Sequence, residues 1–185
     1  KHVTIDSLVI VRTDAPYCWG IHLINGADSN SITNNIIDIQ STSTSSSNTV
    51  GIVASGGTSS IFDDGNNANY LTITGNTITN GYIGIRLNGD DLAPSIGHVI
   101  DNNTILDSYT DGIYLEKAQE AIISNNDISR PNRSSVSDFV GVYIFDGGGG
   151  HLITQNAFHS TQAGASSKAD DFDGIVLENQ DSTLT

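Results

Sequence analysis

A short phrase recurs six times along this sequence, with 31, 33, 28, 29 and 33 residues between successive glycines. It consists of a glycine, an aliphatic residue, any residue and a second aliphatic residue. The six copies are residues 20–23, 51–54, 84–87, 112–115, 141–144 and 174–177. Self-similarity at such a period is typical of repeat proteins, in which each repeat is one structural unit that packs on its neighbours. The phrase therefore predicts six stacked units.

A second phrase lies between the copies of the first: asparagine, any residue, then an aliphatic or aromatic residue. Its asparagines are Asn35, Asn76, Asn103, Asn126 and Asn156, and Ser7 takes that place in the first unit. Short alternating runs precede it, as in residues 71–73, so each unit contains about three short strands. We expect each asparagine in a turn, where it tolerates a left-handed backbone and its amide bonds the asparagine of the next unit.

Units of this kind cannot bury their own apolar face, so equivalent strands of successive units must pair in parallel. Coils then stack at the inter-strand spacing of about 4.8 Å, with aliphatic ladders inside. The sequence predicts an all-β protein: one parallel β-helix domain over residues 1–185, with about six coils of three short strands. The alternative is an antiparallel sandwich, which needs tight hairpin signals and turns that do not recur at a fixed place in the repeat.

With these repeats, the sequence from Val3 to about Leu177 resembles the right-handed parallel β-helix repeat proteins of the pectate-lyase-like superfamily. The resemblance implies the fold and its right-handed sense, which agrees with the general handedness of parallel crossovers. It implies less about function, because the superfamily includes polysaccharide lyases, epimerases, glycoside hydrolases, phage tailspikes and surface proteins with no known reaction. None of its sharper catalytic motifs is intact in this sequence.

Insertions between the repeats are expected to form long loops on coils 2, 3, 5 and 6. They are residues 41–48, 56–69, 90–97, 130–138 and 161–171. Coils 3 and 4 are trimmed where their neighbours carry loops, which predicts a notch above Arg86 and Tyr114.

The two ends show no capping helix. Residues 3–5 already have the pattern of a strand, and residues 181–185 resemble the start of another coil. Because an open coil exposes core and backbone edge, we expect a fragment of a longer chain with adjacent domains. The alternatives are terminal segments that are missing from the sequence, or a trimer that shields one end.

The charge balance limits the partners. Seven basic and 21 acidic residues give a formal net charge of −14 at pH 7 with neutral histidines. Such a field repels nucleic-acid phosphates and anionic lipid, so neither is expected as a partner. No apolar run approaches the roughly 18 residues of a membrane span, so no membrane insertion is expected. The lone Cys18 excludes a disulfide framework within the chain, and the composition is typical of secreted bacterial β-proteins, extracellular or on the cell surface.

In this fold the repeated aliphatics point inward and the residues between them face solvent in two columns. The first column is His22, Val53, Arg86, Tyr114, Tyr143 and Val176, and the second is Ile24, Ser55, Asn88, Glu116, Phe145 and Glu178. We expect Ile85, Ile113 and Val142 to be buried, and Arg86, Tyr114 and Tyr143 to be exposed.

Six residues of these columns form a candidate substrate-binding surface. They are Arg86, Asn88, Tyr114, Glu116, Tyr143 and Phe145. Aromatic rings cover the apolar faces of sugars while Arg, Asn and Glu meet hydroxyls, so a polysaccharide or other glycan is the expected ligand. In the resembled enzymes the substrate often lies along this same sheet. The alternative is that Tyr and Phe are simply favoured on exposed strands.

Acid–base catalysis needs two titratable groups that face one reacting bond. The catalytic candidates are Asp111, Glu116, Lys117 and Asp146. Asp111 and Glu116 flank one strand and Asp146 lies one coil further on, so a carboxylate pair with the roughly 5 to 9.5 Å separation of glycosidases is geometrically possible. A lyase would need Arg or Lys near the sugar carboxylate, and Lys117 either points inward or sits in a turn. In a chain so rich in acids, some pair also meets by chance.

Residues 63–67 offer several oxygen ligands in a glycine turn. Asp63, Asp64 and Asn66 are the candidate ligands of a calcium ion (Ca2+), because calcium prefers carboxylate and amide oxygens. The segment does not match the twelve-residue calcium loop between two helices, and the alternative is a solvated acidic loop.

Two functions follow. The first is a non-catalytic β-helix module that presents a carbohydrate- or partner-binding surface within a larger secreted or cell-surface protein. The second is a polysaccharide lyase, epimerase or glycoside hydrolase that acts along the exposed sheet. The scarcity of basic residues favours the first, because a lyase on an anionic polysaccharide should concentrate Lys and Arg in its cleft.

Overall fold

The computed structural model describes residues 2–12, 17–44, 47–168 and 171–180. Over these residues the chain is the expected right-handed parallel β-helix. Three sheets of six strands run along the column, every strand pair in them is parallel, and successive coils contribute neighbouring strands. The described residues contain no helix, and therefore none long and apolar enough to cross a membrane.

Each coil contributes one short strand to each sheet. The first sheet contains β1 (Thr4–Asp6), β4 (Ser31–Thr33), β7 (Thr72–Thr74), β11 (Val99–Asp101), β15 (Ile122–Ser124) and β18 (Leu152–Thr154). The second sheet contains β2 (Val9–Val11), β5 (Ile36–Asp38), β8 (Thr77–Thr79), β12 (Thr104–Leu106), β16 (Asp127–Ser129) and β19 (Ala157–His159). The third sheet contains β3 (Cys18–Leu23), β6 (Thr49–Ala54), β9 (Ile83–Asn88), β13 (Asp111–Glu116), β17 (Phe139–Phe145) and β20 (Phe172–Glu178).

Aliphatic ladders fill the interior. Ile32, Ile73, Ile100 and Ile123 stack in the first sheet, and Ile37, Ile78, Ile105 and Ile128 stack in the second. The predicted burial of Ile85, Ile113 and Val142 in the third sheet is confirmed. Each ladder removes its branched side chains from water, and this burial is the main stabilising contribution that stacking makes.

The repeated glycine is required by close approach between coils. At Gly84 an added Cβ would lie 2.5 Å from Cγ2 of Ile105 and 2.6 Å from the carbonyl oxygen of Gly112. Gly112 is equally tight against Ile128 and the carbonyl of Gly141. Because these neighbours belong to backbone and packed core, only glycine fits, which explains why the phrase begins with it.

The asparagines stack along one edge, as predicted. Asn76 Nδ2 donates to Oδ1 of Asn103 at 3.0 Å, and Asn103 Nδ2 donates to Oδ1 of Asn126 at 2.9 Å. Each Oδ1 also accepts the backbone N–H of the preceding asparagine in the ladder. The predicted left-handed backbone, however, belongs to the residue before the ladder position, as at Asn102 with φ 53° and Asn125 with φ 54°. The ladder asparagine is thereby free to point inward and bridge the coils.

The structure also contains a pair that the repeats did not predict. Strands β10 (Ser95–Ile96) and β14 (Ala118–Gln119) form a two-stranded parallel sheet at one corner of the column. The segment 181–185, expected to begin another coil, lies outside the described residues.

Candidate functional site

The outer face of the third sheet has the predicted columns. Register pairs His22 with Val53, Val53 with Arg86, and then Arg86, Tyr114, Tyr143 and Val176 in succession. The second column runs Asn88, Glu116, Phe145 and Glu178. A third outward column, at the start of the strands, contains Val50, Ile83, Asp111, Val140 and Asp173.

The N-terminal part of this face is covered by residues 56–69. Ile61 from that segment is buried against Val50, Val53 and Ile83, and they form a second small apolar cluster outside the column. We call this part, with Arg86 and Asn88, the covered half. The predicted notch above Arg86 is therefore not present, because an insertion lies where open space was expected.

Arg86 was expected to be exposed, and this prediction is wrong: only 2% of it is accessible. Its guanidinium carbon lies 4.1 Å from the ring centre of Tyr114 and 4.6 Å from that of Phe62. Its Nε donates to the carbonyl oxygen of Ile61 at 2.9 Å, and its Nη2 pairs with the carboxylate of Glu116. The residue is thus enclosed between two rings, a carbonyl and a carboxylate, which together compensate its desolvation.

Asn88 and Lys117 hold the covering segment in place. Asn88 is buried, and its Nδ2 donates to the carbonyl oxygen of Ile61 at 2.7 Å. Lys117 has a left-handed backbone after β13, and its Nζ pairs with Asp64 and with Asp91, the latter at 2.9 Å. These carboxylates hold the pKa of Lys117 above its ordinary value. Lys117 therefore sits in a turn and fastens two loops.

The C-terminal part of the face is uncovered, and we call Tyr114, Glu116, Tyr143, Phe145 and Glu178 the open half. The ring centres of Tyr114 and Tyr143 are 4.8 Å apart, and those of Tyr143 and Phe145 are 6.2 Å apart. Tyr143 and Phe145 are partly exposed, and Tyr114 is half-buried because Arg86 lies on it. The open half thus keeps most of the predicted aromatic surface and loses Arg86 and Asn88 to the covered half.

A hydrogen bond and burial raise the pKa values of two titratable groups in the open half. The Tyr143 hydroxyl donates to the carboxylate of Glu178, which holds the pKa of Tyr143 above its ordinary value. Burial raises the pKa of Glu116, and the Arg86 guanidinium opposes that rise. The result is a row of rings bordered by carboxylates.

Asp111 lies at the other end of β13 and is only 8% exposed. Burial raises its pKa to about 6, although a hydrogen bond from Thr110 Oγ1 at 2.7 Å and the charge of Arg86 both oppose the rise. Asp111 and Glu116 are five positions apart, or roughly 16 Å at about 3.3 Å per residue. That exceeds the separation of a glycosidase pair, so the pairing considered for these two carboxylates is not available along one strand.

The remaining catalytic candidate, Asp146, is exposed in the turn after β17, where its N–H donates to the carbonyl of Glu178 at 3.0 Å. It stands in register with Lys117, one coil away, and at the opposite end of the strands from Asp111. The structure therefore does not bring the four catalytic candidates together.

The calcium candidates occupy the covering segment. Asp64 is paired with Lys117, and Asp63 accepts the backbone N–H of Gly56 through its carbonyl oxygen at 2.7 Å. Asn66 carries a carbonyl that accepts the N–H of Gly26 at 2.9 Å. Within the described residues, no group of three or more His, Cys, Asp or Glu side chains is arranged to hold a metal ion.

Three residues that matter here were not singled out from the sequence. Phe62 is one, and nothing in a loop of low regularity marks it. The others are His98 and His151, which lie in one inward column on either side of Ala121. A signal for the two histidines existed, because His98, Ala121 and His151 each stand five positions before a ladder asparagine.

His98 is fully buried, and neither of its ring nitrogens has a hydrogen-bond partner. Burial lowers its pKa to about 4, with His151 contributing in the same direction. His151 Nδ1 accepts the N–H of Ala121 at 3.2 Å, so the proton of the neutral ring is on Nε2. Burial also lowers the pKa of the partly buried His151, so both rings are neutral near neutral pH.

Three solved structures align with this chain at low identity. The surface protein and adhesin PfbA of Streptococcus pneumoniae aligns with a TM-score of 0.49 and 11% identity, over 95% of this chain and 66% of that one. The Dettilon tailspike protein aligns with a TM-score of 0.37 and 14% identity, over 87% of this chain and 42% of that one. A glycoside hydrolase aligns with a TM-score of 0.25 and 11% identity, over 91% and 35%. The chain thus spans at most 66% of the length of these proteins.

No curated protein matches the sequence. A family model does: that of NosD, described as a periplasmic copper-binding protein, matches residues 20–179. This span includes all six copies of the glycine phrase and the whole asparagine ladder. The chain belongs to the NosD family of parallel β-helix proteins.

Proposed function

We propose that this protein is a non-catalytic β-helix module that binds a glycan on the open half of its third sheet. The observation that carries the proposal is the uncovered row of Tyr114, Tyr143 and Phe145 beside Glu116 and Glu178. Ring faces supply apolar contact with sugar C–H groups, and the carboxylates accept hydrogen bonds from hydroxyls. The sheet beneath is rigid, so the surface is organised before the ligand arrives.

Binding is favoured over catalysis by the placement of the acids. Asp111 and Glu116 are too far apart on β13 to act on one glycosidic bond, and Lys117 is engaged by Asp64 and Asp91. A lyase or glycosidase would need such groups free and convergent. Among the described residues, the enzyme alternative is therefore left without the Asp111–Glu116 pair and without a free Lys117.

A periplasmic or extracellular location belongs to the same proposal. The family is described as periplasmic, and glycans of the cell envelope are accessible from there. The acidic net charge of −14 disfavours polyanionic ligands such as uronic polysaccharides in the absence of bound cations. Neutral or cationic glycans are the ligands that this surface suits.

The family description also names copper, and the described residues do not fit that ion. Copper prefers imidazole, thiolate or thioether ligands; the chain has no Met, and its single Cys18 is buried with its Sγ directed to the carbonyl oxygen of Ile39. His98 and His151 are neighbours, but the Nδ1 of His151 is occupied and its Nε2 carries the proton. No role in this proposal is therefore assigned to copper.

The test is a panel of neutral, cationic and uronic polysaccharides, read by calorimetry for binding and by reducing-end and unsaturated-product assays for chemistry. Binding without product is expected, and it should be lost in Tyr143→Ala. Tyr70→Ala is the control, because Tyr70 is an exposed tyrosine outside the third sheet. Release of new reducing ends or unsaturated sugars would overturn the non-catalytic proposal, and retention of affinity in Tyr143→Ala would remove the open half from it.

A further inference from the structure

The open half is acidic and contains no free cation. Glu116 and Glu178 belong to its second column, and Asp173 lies exposed at the start of β20. Arg86 is buried and paired with Glu116, so it cannot meet a ligand. In the described parts of the three outward columns, no other lysine or arginine is present. The surface thus attracts positive charge and repels negative charge.

The rings of the open half are able to hold a cation. The Arg86 guanidinium already lies over Tyr114 at 4.1 Å from the ring centre, on the side that faces the covered half. Tyr143, tilted by 60° from Tyr114, and Phe145, at 74° from Tyr143, carry the same kind of ring surface to the solvent. A cation over such a face, bordered by carboxylates, is attracted by both.

We propose that the glycan bound by the open half carries ammonium groups, as in polymers of glucosamine with free or alkylated amines. This inference rests on the proposed function and specifies its ligand class. Sugar rings stack on Tyr143 and Phe145, while ammonium groups meet Glu178 and Asp173.

A basic peptide offers the same charge, but the strands argue against it. Strand β13 is paired with β9 and β17, and β17 is paired with β13 and β20. Their backbone groups are therefore satisfied on both sides, and an extended peptide cannot add to the sheet through main-chain hydrogen bonds there. The open half is left with ring faces and carboxylates, which suit an amino sugar.

Three hexasaccharides with one β-1,4-linked glucosamine backbone test the inference: fully N-acetylated, free amine and N-trimethylated. The acetylated form is neutral and the trimethylated form is positively charged at every pH. We expect both cationic forms to bind at least about tenfold more tightly than the acetylated form, as measured by calorimetry. Added salt should shrink that difference, since charge attraction at a surface is screened.

Charge-removing variants localise the effect. Glu178→Gln and Asp173→Asn should each weaken binding of the trimethylated hexamer several-fold and leave the acetylated hexamer unchanged. Glu120→Gln is the matched control, because it removes the same charge from an exposed corner outside the third sheet. Thermal unfolding should be the same for all three variants, since these side chains are exposed.

The possible outcomes distinguish failure of this inference from failure of the proposed function on which it rests. Equal affinity for acetylated and cationic hexamers, with loss in Tyr143→Ala, would overturn the charge preference and keep the glycan-binding module. No affinity for any hexamer or any polysaccharide of the panel would overturn both. Oligolysine that binds as tightly as the trimethylated hexamer and competes with it would overturn the choice of a glycan over a peptide.

Discussion

The covered and open halves of the third sheet use the same positions of the repeat, but their side chains are buried in one half and face solvent in the other. Arg86 and Tyr143 are in one column, two coils apart, and Asn88 and Phe145 are in the next. Arg86 and Asn88 are enclosed by the segment 56–69, whereas Tyr143 and Phe145 face solvent. Register decides which way a side chain points, and the insertions between coils decide what it meets.

Because of this difference, we expect the covered half to contribute to the stability of the fold and the open half of the same sheet to contribute to ligand binding. In the covered half, polar side chains are buried and every lost partner leaves another group unsatisfied. In the open half, side chains contact one another at a surface and their removal exposes little. Substitutions at equivalent positions should therefore separate into those that change unfolding and those that change ligand affinity.

The largest effect is expected for Arg86→Ala. The substitution leaves the Glu116 carboxylate without its buried partner, removes one of the two donors to the Ile61 carbonyl, and removes the cation from between Phe62 and Tyr114. Breaking a buried pair from one side costs about 3–5 kcal/mol of unfolding free energy, which chemical denaturation should measure. The segment 56–69 should also become accessible to proteases. Adding Glu116→Gln should recover part of the loss, and a cost below about 1 kcal/mol for Arg86→Ala would mean that the cover does not depend on it.

The second effect is a pH dependence of the unfolding free energy that is caused by Asp111. Asp111, a buried residue on strand β13, occupies the column position that Ile83 and Val50 hold in the covered half. Its folded pKa of about 6 lies above the ordinary 3.8, so the folded state binds the proton more tightly. The resulting stability, on the order of 3 kcal/mol, is present below pH 3.8 and is lost as the pH rises through about 6. Unfolding free energy should therefore fall with pH in this window because of Asp111.

His98 acts in the opposite direction. Its folded pKa of about 4 lies below the ordinary 6.5, so its contribution is present above pH 6.5 and is lost as the pH falls through about 4. Both contributions span two units or more, so they nearly cancel between pH 4 and 6. Between pH 4 and 6, the unfolding free energy of Asp111→Asn should rise with pH, because only the His98 contribution remains. That of His98→Leu should fall with pH, because only the Asp111 contribution remains. Parallel profiles for wild type and both variants, from denaturation at each pH, would show that neither group titrates as its burial implies.

A smaller effect is expected for Lys117→Gln. The ammonium bridges Asp64 of the covering segment and Asp91 of the next loop, but both carboxylates are partly or largely exposed. Pairs screened by solvent contribute little, so the cost should stay below about 1 kcal/mol. Lys168→Gln, which removes the same charge from an exposed residue of a different loop, is a control for the change in net charge. A cost similar to that of Arg86→Ala would mean that the ion pairs, and not the buried guanidinium, hold the cover.

Much of this architecture could be predicted because its cause is periodic. The spacing of Gly84, Gly112 and Gly141 follows from backbone approach between coils, and Asn76, Asn103 and Asn126 follow from a ladder that needs one amide per coil. The orientation of the first two columns follows from strand alternation. These features repeat, and repetition makes them visible in a single sequence.

The errors concern features that occur once. The burial of Arg86 depends on Ile61 and Phe62, which lie in a loop whose path no period determines. The separation of Asp111 from Glu116 required counting residues along one strand, and adjacency in the sequence concealed it. Insertions are where a repeat protein acquires individual chemistry, so the site is less predictable than the fold that carries it.

The smallest effect on stability, and the sharpest on binding, is expected for Tyr143→Ala. The ring is partly exposed, contacts Tyr114 and Phe145 at the surface, and its hydroxyl pairs with Glu178, itself exposed. Removing it should cost below about 1 kcal/mol of unfolding free energy, while an anchoring ring contributes roughly 1 kcal/mol or more to binding, a fivefold or larger loss of affinity. Tyr143→Phe should keep the stacking surface and most of the affinity, since it removes only the hydroxyl. If Tyr143→Ala instead unfolds as readily as Arg86→Ala, the open half is as structural as the covered half, and the division between them fails.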